Sequence, residues 1–336
     1  MHGRASQLSG NAAGATAMSP LVSIIVRSMA RPSLAGALAS IAEQDYERIE
    51  VVVVAACGTA HPPPPATAGR HRVRFVPGDA PRSRPQAANA GIDAAQGDWI
   101  TFLDDDDIFL PSHVSGLIDA QRNAGDCLVV HTLARATFVD GSVQTVGQPF
   151  AAIELYQRSF ISLSVAIFSR ALVARGCRFD DALEMLQDWD FFIQCAQHTR
   201  FHFEPRQTFE WRADVGSSGA GGGVNQDDAR FAKFRDRIYA KWEARYDALV
   251  DDVTKRLEQA GNRARSGDLA GAEALCREVL AQSQNDPFAL NLLAMVQRSA
   301  GRLGDAIATQ RLACAVRPGD ASLAHNLALL REASAR

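Results

Sequence analysis

Four consecutive carboxylates, Asp104-Asp105-Asp106-Asp107, close the apolar run Trp99-Ile100-Thr101-Phe102-Leu103. Adjacent anions repel one another, so such a run is costly without a cation to offset it. Hard oxygen ligands suit Mg²⁺ or Mn²⁺, and either ion could neutralise a diphosphate leaving group as Lewis acid and template. The competing account is a solvated acidic turn ahead of a helix that starts near Pro111, a favoured first helical residue. A second acidic group follows in Leu186-Gln187-Asp188-Trp189-Asp190-Phe191, where Asp188 could cap a helix and favour its dipole.

The elements that would hold these groups read as alternating strands and helices. Leu21 to Val26, Ile49 to Val54, Val73 to Val76 and Trp99 to Leu103 are short, mostly β-branched apolar runs. Helical spacing covers 33–43 and 84–96 between them. This alternation predicts an α/β domain with a doubly wound parallel sheet, whose ligands gather at the carboxyl ends of its strands. Pro62 to Pro65 must lie in a loop. Shorter strands are expected at 127–131, 135–139, 163–168 and 199–203, with a helix over 189–197. The glycine-dense stretch 216–223 is either a lid or a plain linker.

The 336 residues suffice for about two domains, and 47% hydrophobic with 22% charged residues is a globular composition. A net charge of -3 argues against a surface for nucleic acid. Cys57, Cys127, Cys177, Cys195, Cys276 and Cys314 show no ligand spacing, which predicts free thiols and a reducing, cytoplasmic compartment. Residues 1–19 read as a disordered leader, and no run is apolar enough for a membrane span, so contact with a membrane would be at most peripheral.

A period of 34 runs through the C-terminal part. Ala260, Ala294 and Ala328 follow it, as do Gly267 and Gly301, Leu269 and Leu303, Ala272 and Ala306, and Asp286 and Asp320. That period resembles the tetratricopeptide repeat, an all-α array of paired helices. About two and a half repeats fit, fewer than the roughly three that stand alone, so the array is expected to dock on the first domain, self-associate or bind a protein partner.

Over about residues 20–215 the chain resembles the family 2 glycosyltransferases of the GT-A fold. The resemblance rests on VSIIVRSMARPSLAGALASIAEQDY, on AANAGIDAAQGDWITFLDDDD with its D-x-D signature, and on the Asp188-Trp189-Asp190 motif. It implies a nucleotide-sugar donor, a glycan or protein acceptor, and Mn²⁺ or Mg²⁺ as cofactor. By this likeness Asp106 contacts the metal, with Asp104 or Asp105 facing ribose or metal. Asp188 would be the base that takes the proton of the acceptor hydroxyl in an inverting displacement, and Asp190 would be structural. Arg27, Asn89 and Arg212 would serve the donor; for Arg212, bidentate phosphate binding and a plain surface position are both open. The implied domains are a leader over 1–19, a glycosyltransferase domain over 20–224, a connecting helix over 225–252 and repeats over 253–336.

The likeness departs at Val54-Ala55-Ala56-Cys57-Gly58-Thr59, which lacks the carboxylate that usually follows the second strand and holds the base. Arg27, Arg31, Arg82 and Arg84 could supply charge around a diphosphate. The alternative is a degenerate GT-A domain serving a repeat-mediated interaction module. A nucleotidyltransferase is disfavoured because no glycine-rich phosphate loop follows the first strand.

Overall fold

The computed structural model describes residues 19–138, 140–212 and 227–335. The leader expected over 1–19, except Ser19, and the glycine-dense stretch 216–223 lie outside the described residues. The α/β domain opens with β1 (Val22–Ser28), α1 (Leu34–Ala42), β2 (Ile49–Ala55), β3 (Thr67–Ala68) and β4 (His71–Val76). It continues through α2 (Arg84–Ala94), β5 (Trp99–Asp104), β6 (Ile108–Phe109), α3 (His113–Asn123), β7 (Val129–Thr137) and β8 (Val143–Val146). Next come α4 (Ala152–Gln157), β9 (Ala166–Ser169), α5 (Arg170–Ala174), α6 (Gln187–Ala196) and β10 (Phe201–Arg212).

One mixed sheet runs β3-β4-β2-β1-β5-β9-β7-β10-β6, with β8 paired to β7. The half containing β4, β2, β1 and β5 is parallel, as alternation predicts. From β9 onward, past the regular alternation of the first hundred residues, the sheet is mixed: β9 is antiparallel to both β5 and β7. The strands expected at 127–131 and 135–139 are one strand, β7. Only the end of the 163–168 candidate is strand; Leu163–Val165 forms a 3-10 turn. The 199–203 candidate extends to Arg212.

Val22, Ile24, Ile25 and Val26 of β1 and Val51 to Val54 of β2 are wholly buried, as expected for central parallel strands. Each such side chain removes apolar surface worth roughly 1.5–3 kcal/mol. Helix α2 is started by a capping box, Ser83 with Gln86, and packs Gly91 tightly against Ile25.

The C-terminal part is helical: α7 (Asp228–Arg265), α8 (Leu269–Gln282), α9 (Pro287–Ser299), α10 (Leu303–Val316) and α11 (Ala321–Ala335). Helices α10 and α11 begin 34 residues after α8 and α9 (303 − 269 and 321 − 287). The expected boundary at 252/253 does not exist as a break, because α7 is one continuous helix of 38 residues. Its first half packs on the α/β domain through Phe234 and Ile238, and its second half joins the array through Val253 and Ala260. The array docks on the α/β domain, where Ala151 shares a buried cluster with Leu290, Ala313, Val316 and Leu323. No helix among the described residues is long and apolar enough to cross a membrane.

Candidate active site

Parallel pairing of β1 with both β2 and β5 brings their carboxyl ends side by side. The register sets Arg27 opposite Asp104, and the guanidinium turns onto that carboxylate, with Nη2 2.6 Å and Nε 3.0 Å from Oδ1. Arg27 is 10% exposed, and its remaining terminal nitrogen, Nη1, is buried without a hydrogen-bond partner. Leaving such a donor unsatisfied costs free energy that an anionic oxygen would recover.

The four acids are not equivalent. Asp105 is buried, and its Oδ2 accepts from Met29 N at 2.8 Å and Ser28 Oγ at 3.2 Å while Oδ1 accepts from Arg31 at 2.8 Å. It therefore braces the turn after β1. Asp106 accepts from Arg31 at 3.1 Å and stays partly open. Burial, then the Asp104 charge, lifts the Asp106 carboxyl above its ordinary range against the pull of Arg31. Asp107 is pushed up to about 8, first by burial and then by Asp104 and Asp106.

Asp188 sits in the first turn of α6, after Leu186 in a left-handed conformation with φ of 61°. Such a backbone is costly for a branched residue and tends to mark functional turns. Asp188 Oδ1 accepts from Trp189 N at 2.9 Å. Burial raises its carboxyl above the usual range, while Arg27 and Arg84 pull it down. Arg84 is itself lowered, by burial first and then by Arg27, while Asp104 and Asp188 raise it. The two guanidiniums thus couple electrostatically to both acidic motifs. Asp104, Asp106, Asp188, Arg27, Arg84 and Arg212 all line one cleft of about 700 Å³.

Asn89 is not among the residues lining this cleft. Its carboxamide binds the Phe179 backbone in both directions, Nδ2 to the carbonyl at 2.8 Å and Oδ1 from N–H at 3.1 Å, so it anchors a loop instead. Arg82 lines the cleft, yet its nitrogens are bound to the carbonyls of Ala55 and Pro77, both at 2.9 Å. After β2, at the position where the resemblance led to the expectation of an acid, Ala56 borders the cleft. Asp190 is fully buried and holds Lys241 and Trp242 of α7 at 2.9 and 2.8 Å, a structural role.

Two parts of the wall escaped sequence reasoning. One is the segment around Arg158 and Phe160, which has no motif. The other is Phe231, Arg235 and Tyr239 of α7, whose i, i+4, i+8 spacing was a readable stripe. A second cavity, of about 390 Å³, lies where α7 and α9 meet α4 and contains neither acidic motif.

Residues 23–176 match the family model for glycosyl transferase family 2. Over 188 residues the chain is 28% identical to the putative colanic acid biosynthesis glycosyl transferase WcaA of Escherichia coli, covering 52% of this chain and 66% of that protein. Over 280 residues it is 29% identical to the succinoglycan biosynthesis protein ExoO of Rhizobium meliloti, covering 77% of this chain and 79% of that one. Staphylococcus aureus TarS superposes with a TM-score of 0.50 at 16% identity over 93% of this chain and 55% of TarS, a likeness of fold.

Proposed function

We propose that this chain, whose residues 23–176 match the family model for glycosyl transferase family 2, is a transferase that carries out an inverting, metal-dependent transfer of a sugar from a nucleotide-sugar donor to a glycan hydroxyl. Surface polysaccharide is the favoured product class, since WcaA and ExoO are named for colanic acid and succinoglycan biosynthesis.

The observation that carries this reading is the shared cleft of the β5 acids and Asp188, with Arg27 and Arg84 between them electrostatically. Asp188 accepts the proton of the acceptor hydroxyl as its oxygen attacks the anomeric carbon. The bond from that carbon to the diphosphate oxygen breaks, and its electron pair leaves with the nucleoside diphosphate. Burial that lifts the Asp188 carboxyl makes its anion a better base. Arg27 Nη1 and Arg84 offer the diphosphate charge-assisted hydrogen bonds.

Asp106 and Asp104 are suited to hold Mg²⁺ or Mn²⁺. Their oxygens are hard ligands, and the anionic crowding around Asp106 is what a cation relieves. Among the described residues no group of three or more His, Cys, Asp or Glu is placed to hold a metal ion. Bound there, the ion would neutralise charge on the leaving group.

The test is a thermal-shift screen of nucleoside diphosphates with and without Mn²⁺, followed by transfer assays with a nucleotide-sugar panel. A nucleotide that raises Tm in the presence of Mn²⁺, and turnover that Asp188→Ala abolishes without loss of donor binding, are expected. If no nucleotide changes Tm under any condition, the domain is a degenerate scaffold and the transferase reading falls.

A further inference from the structure

Helix α4 is held on two sides by different parts of the molecule. On the array side, Ala152 N donates to the Gln284 carbonyl at 3.0 Å. Arg317, in the turn after α10, reaches Glu154 Oε1 with Nε at 2.8 Å and Nη2 at 2.5 Å. Gln148 Nε2 donates to the Val316 carbonyl at 2.8 Å. On the cleft side, Glu154 Oε2 accepts from Arg158 Nε at 3.4 Å, and Gln148 Oε1 accepts from Arg158 Nη2 at 2.6 Å. Trp189, next to Asp188, donates its indole N–H to the Leu155 carbonyl.

Glu154 is 3% exposed and carries guanidiniums on both oxygens, one from the array and one from the cleft wall. A buried carboxylate of this kind keeps its place only while its partners stay, because losing one leaves charge uncompensated. Gln148, also buried, spans the same gap with its two amide ends. Arg317 is held in turn over the Phe288 ring at 4.7 Å. The contacts form a closed loop from the 316–317 turn through Glu154 and Gln148 to Arg158.

We propose that the helical array positions the active-site wall through α4, with Arg317 and Glu154 as positioning residues for Arg158 and for the corner that presents Asp188. The array is on this account a working part of the transferase unit, not an appended module. Only the substrate-binding consequence rests on the function proposed above; the mechanical coupling stands without it.

Arg317→Met in the full chain tests the coupling by hydrogen–deuterium exchange, which needs no substrate. Amides over 148–165 should exchange about tenfold faster, as expected when a locally stabilised segment loses its anchor. Those of β1, β5 and α8 should keep the parent's protection. In transfer assays KM should rise more than kcat falls, and Arg317→Lys should recover part of the loss. Should Arg317→Met fail to fold, Arg317→Lys and Gln148→Leu take its place in the same comparison. Parental exchange over 148–165 in the folded variants would overturn the proposal. A parent without transferase activity would refute the function while leaving the exchange result decisive for the coupling.

Discussion

Arg27 and Asp104 face each other across the β1–β5 pair, joined at 2.6 Å, and the arginine still keeps one buried nitrogen unbonded. The pair is half satisfied: the aspartate orients the guanidinium, and the free Nη1 remains available to a ligand anion. Arg27→Gln should therefore weaken binding of nucleoside diphosphate about tenfold or more, the equivalent of a lost charged hydrogen bond, while Tm changes little. Isothermal titration with the diphosphate identified by thermal shift measures this. Unaltered affinity would show that Nη1 is simply an orphan.

Asp188→Asn should keep donor affinity and lower kcat about 10²–10⁴-fold, the usual worth of a positioned base. Single-turnover transfer separates this from slow product release. Loss of folding, seen by circular dichroism, would assign the side chain to helix initiation.

Asp106→Asn should lower affinity for Mn²⁺ and for the nucleoside diphosphate together, since an ion held there would take phosphate oxygens as further ligands. Titration of the diphosphate with and without Mn²⁺ reads the coupling. Equal losses in both conditions would place Asp106 on the nucleotide alone.

His131 on β7 is buried, lies with its ring centroid 5.1 Å from that of Phe203 and tilted 44° to it, and has no partner for Nε2. Burial, then neighbouring His202, holds its pKa at about 3, below the ordinary 6.5. Between those values the unfolded chain binds a proton that the folded chain refuses. Stability is therefore complete above 6.5 and falls as pH drops toward 3, by up to about 1.4 kcal/mol per pH unit for this group. His131→Leu should flatten the denaturant midpoint between pH 6 and 4; an unchanged slope would mean that other groups control acid unfolding.

Gly91 of α2 lies so close to the sheet that a Cβ there would stand 2.3 Å from Ile25 Cγ2. Gly91→Ala should destabilise by about 1–3 kcal/mol through overpacking of α2 on β1. Urea unfolding checks it. A neutral result would mean that the Ile25 side chain yields more easily than a packed core allows.

Local chemistry carried much of this protein into view. Four β-branched apolar runs separated by helical spacing announced the parallel strands, because central strands must be apolar on both faces. The crowding of Asp104 to Asp107 was visible as a charge problem, and the repeat of 34 was visible as periodicity. Folding in three dimensions decided the rest. It placed Asp188 in one cleft with acids more than eighty positions earlier, and it distinguished the brace Asp105 from the open Asp106. It removed Asn89 from the cleft lining and brought Arg158 and α7 into it. It also fused the connecting helix with the array, and made the array a support for the cleft wall. These outcomes depend on long-range partners such as Arg317 and Glu154, whose pairing leaves no periodic or local signature in the chain.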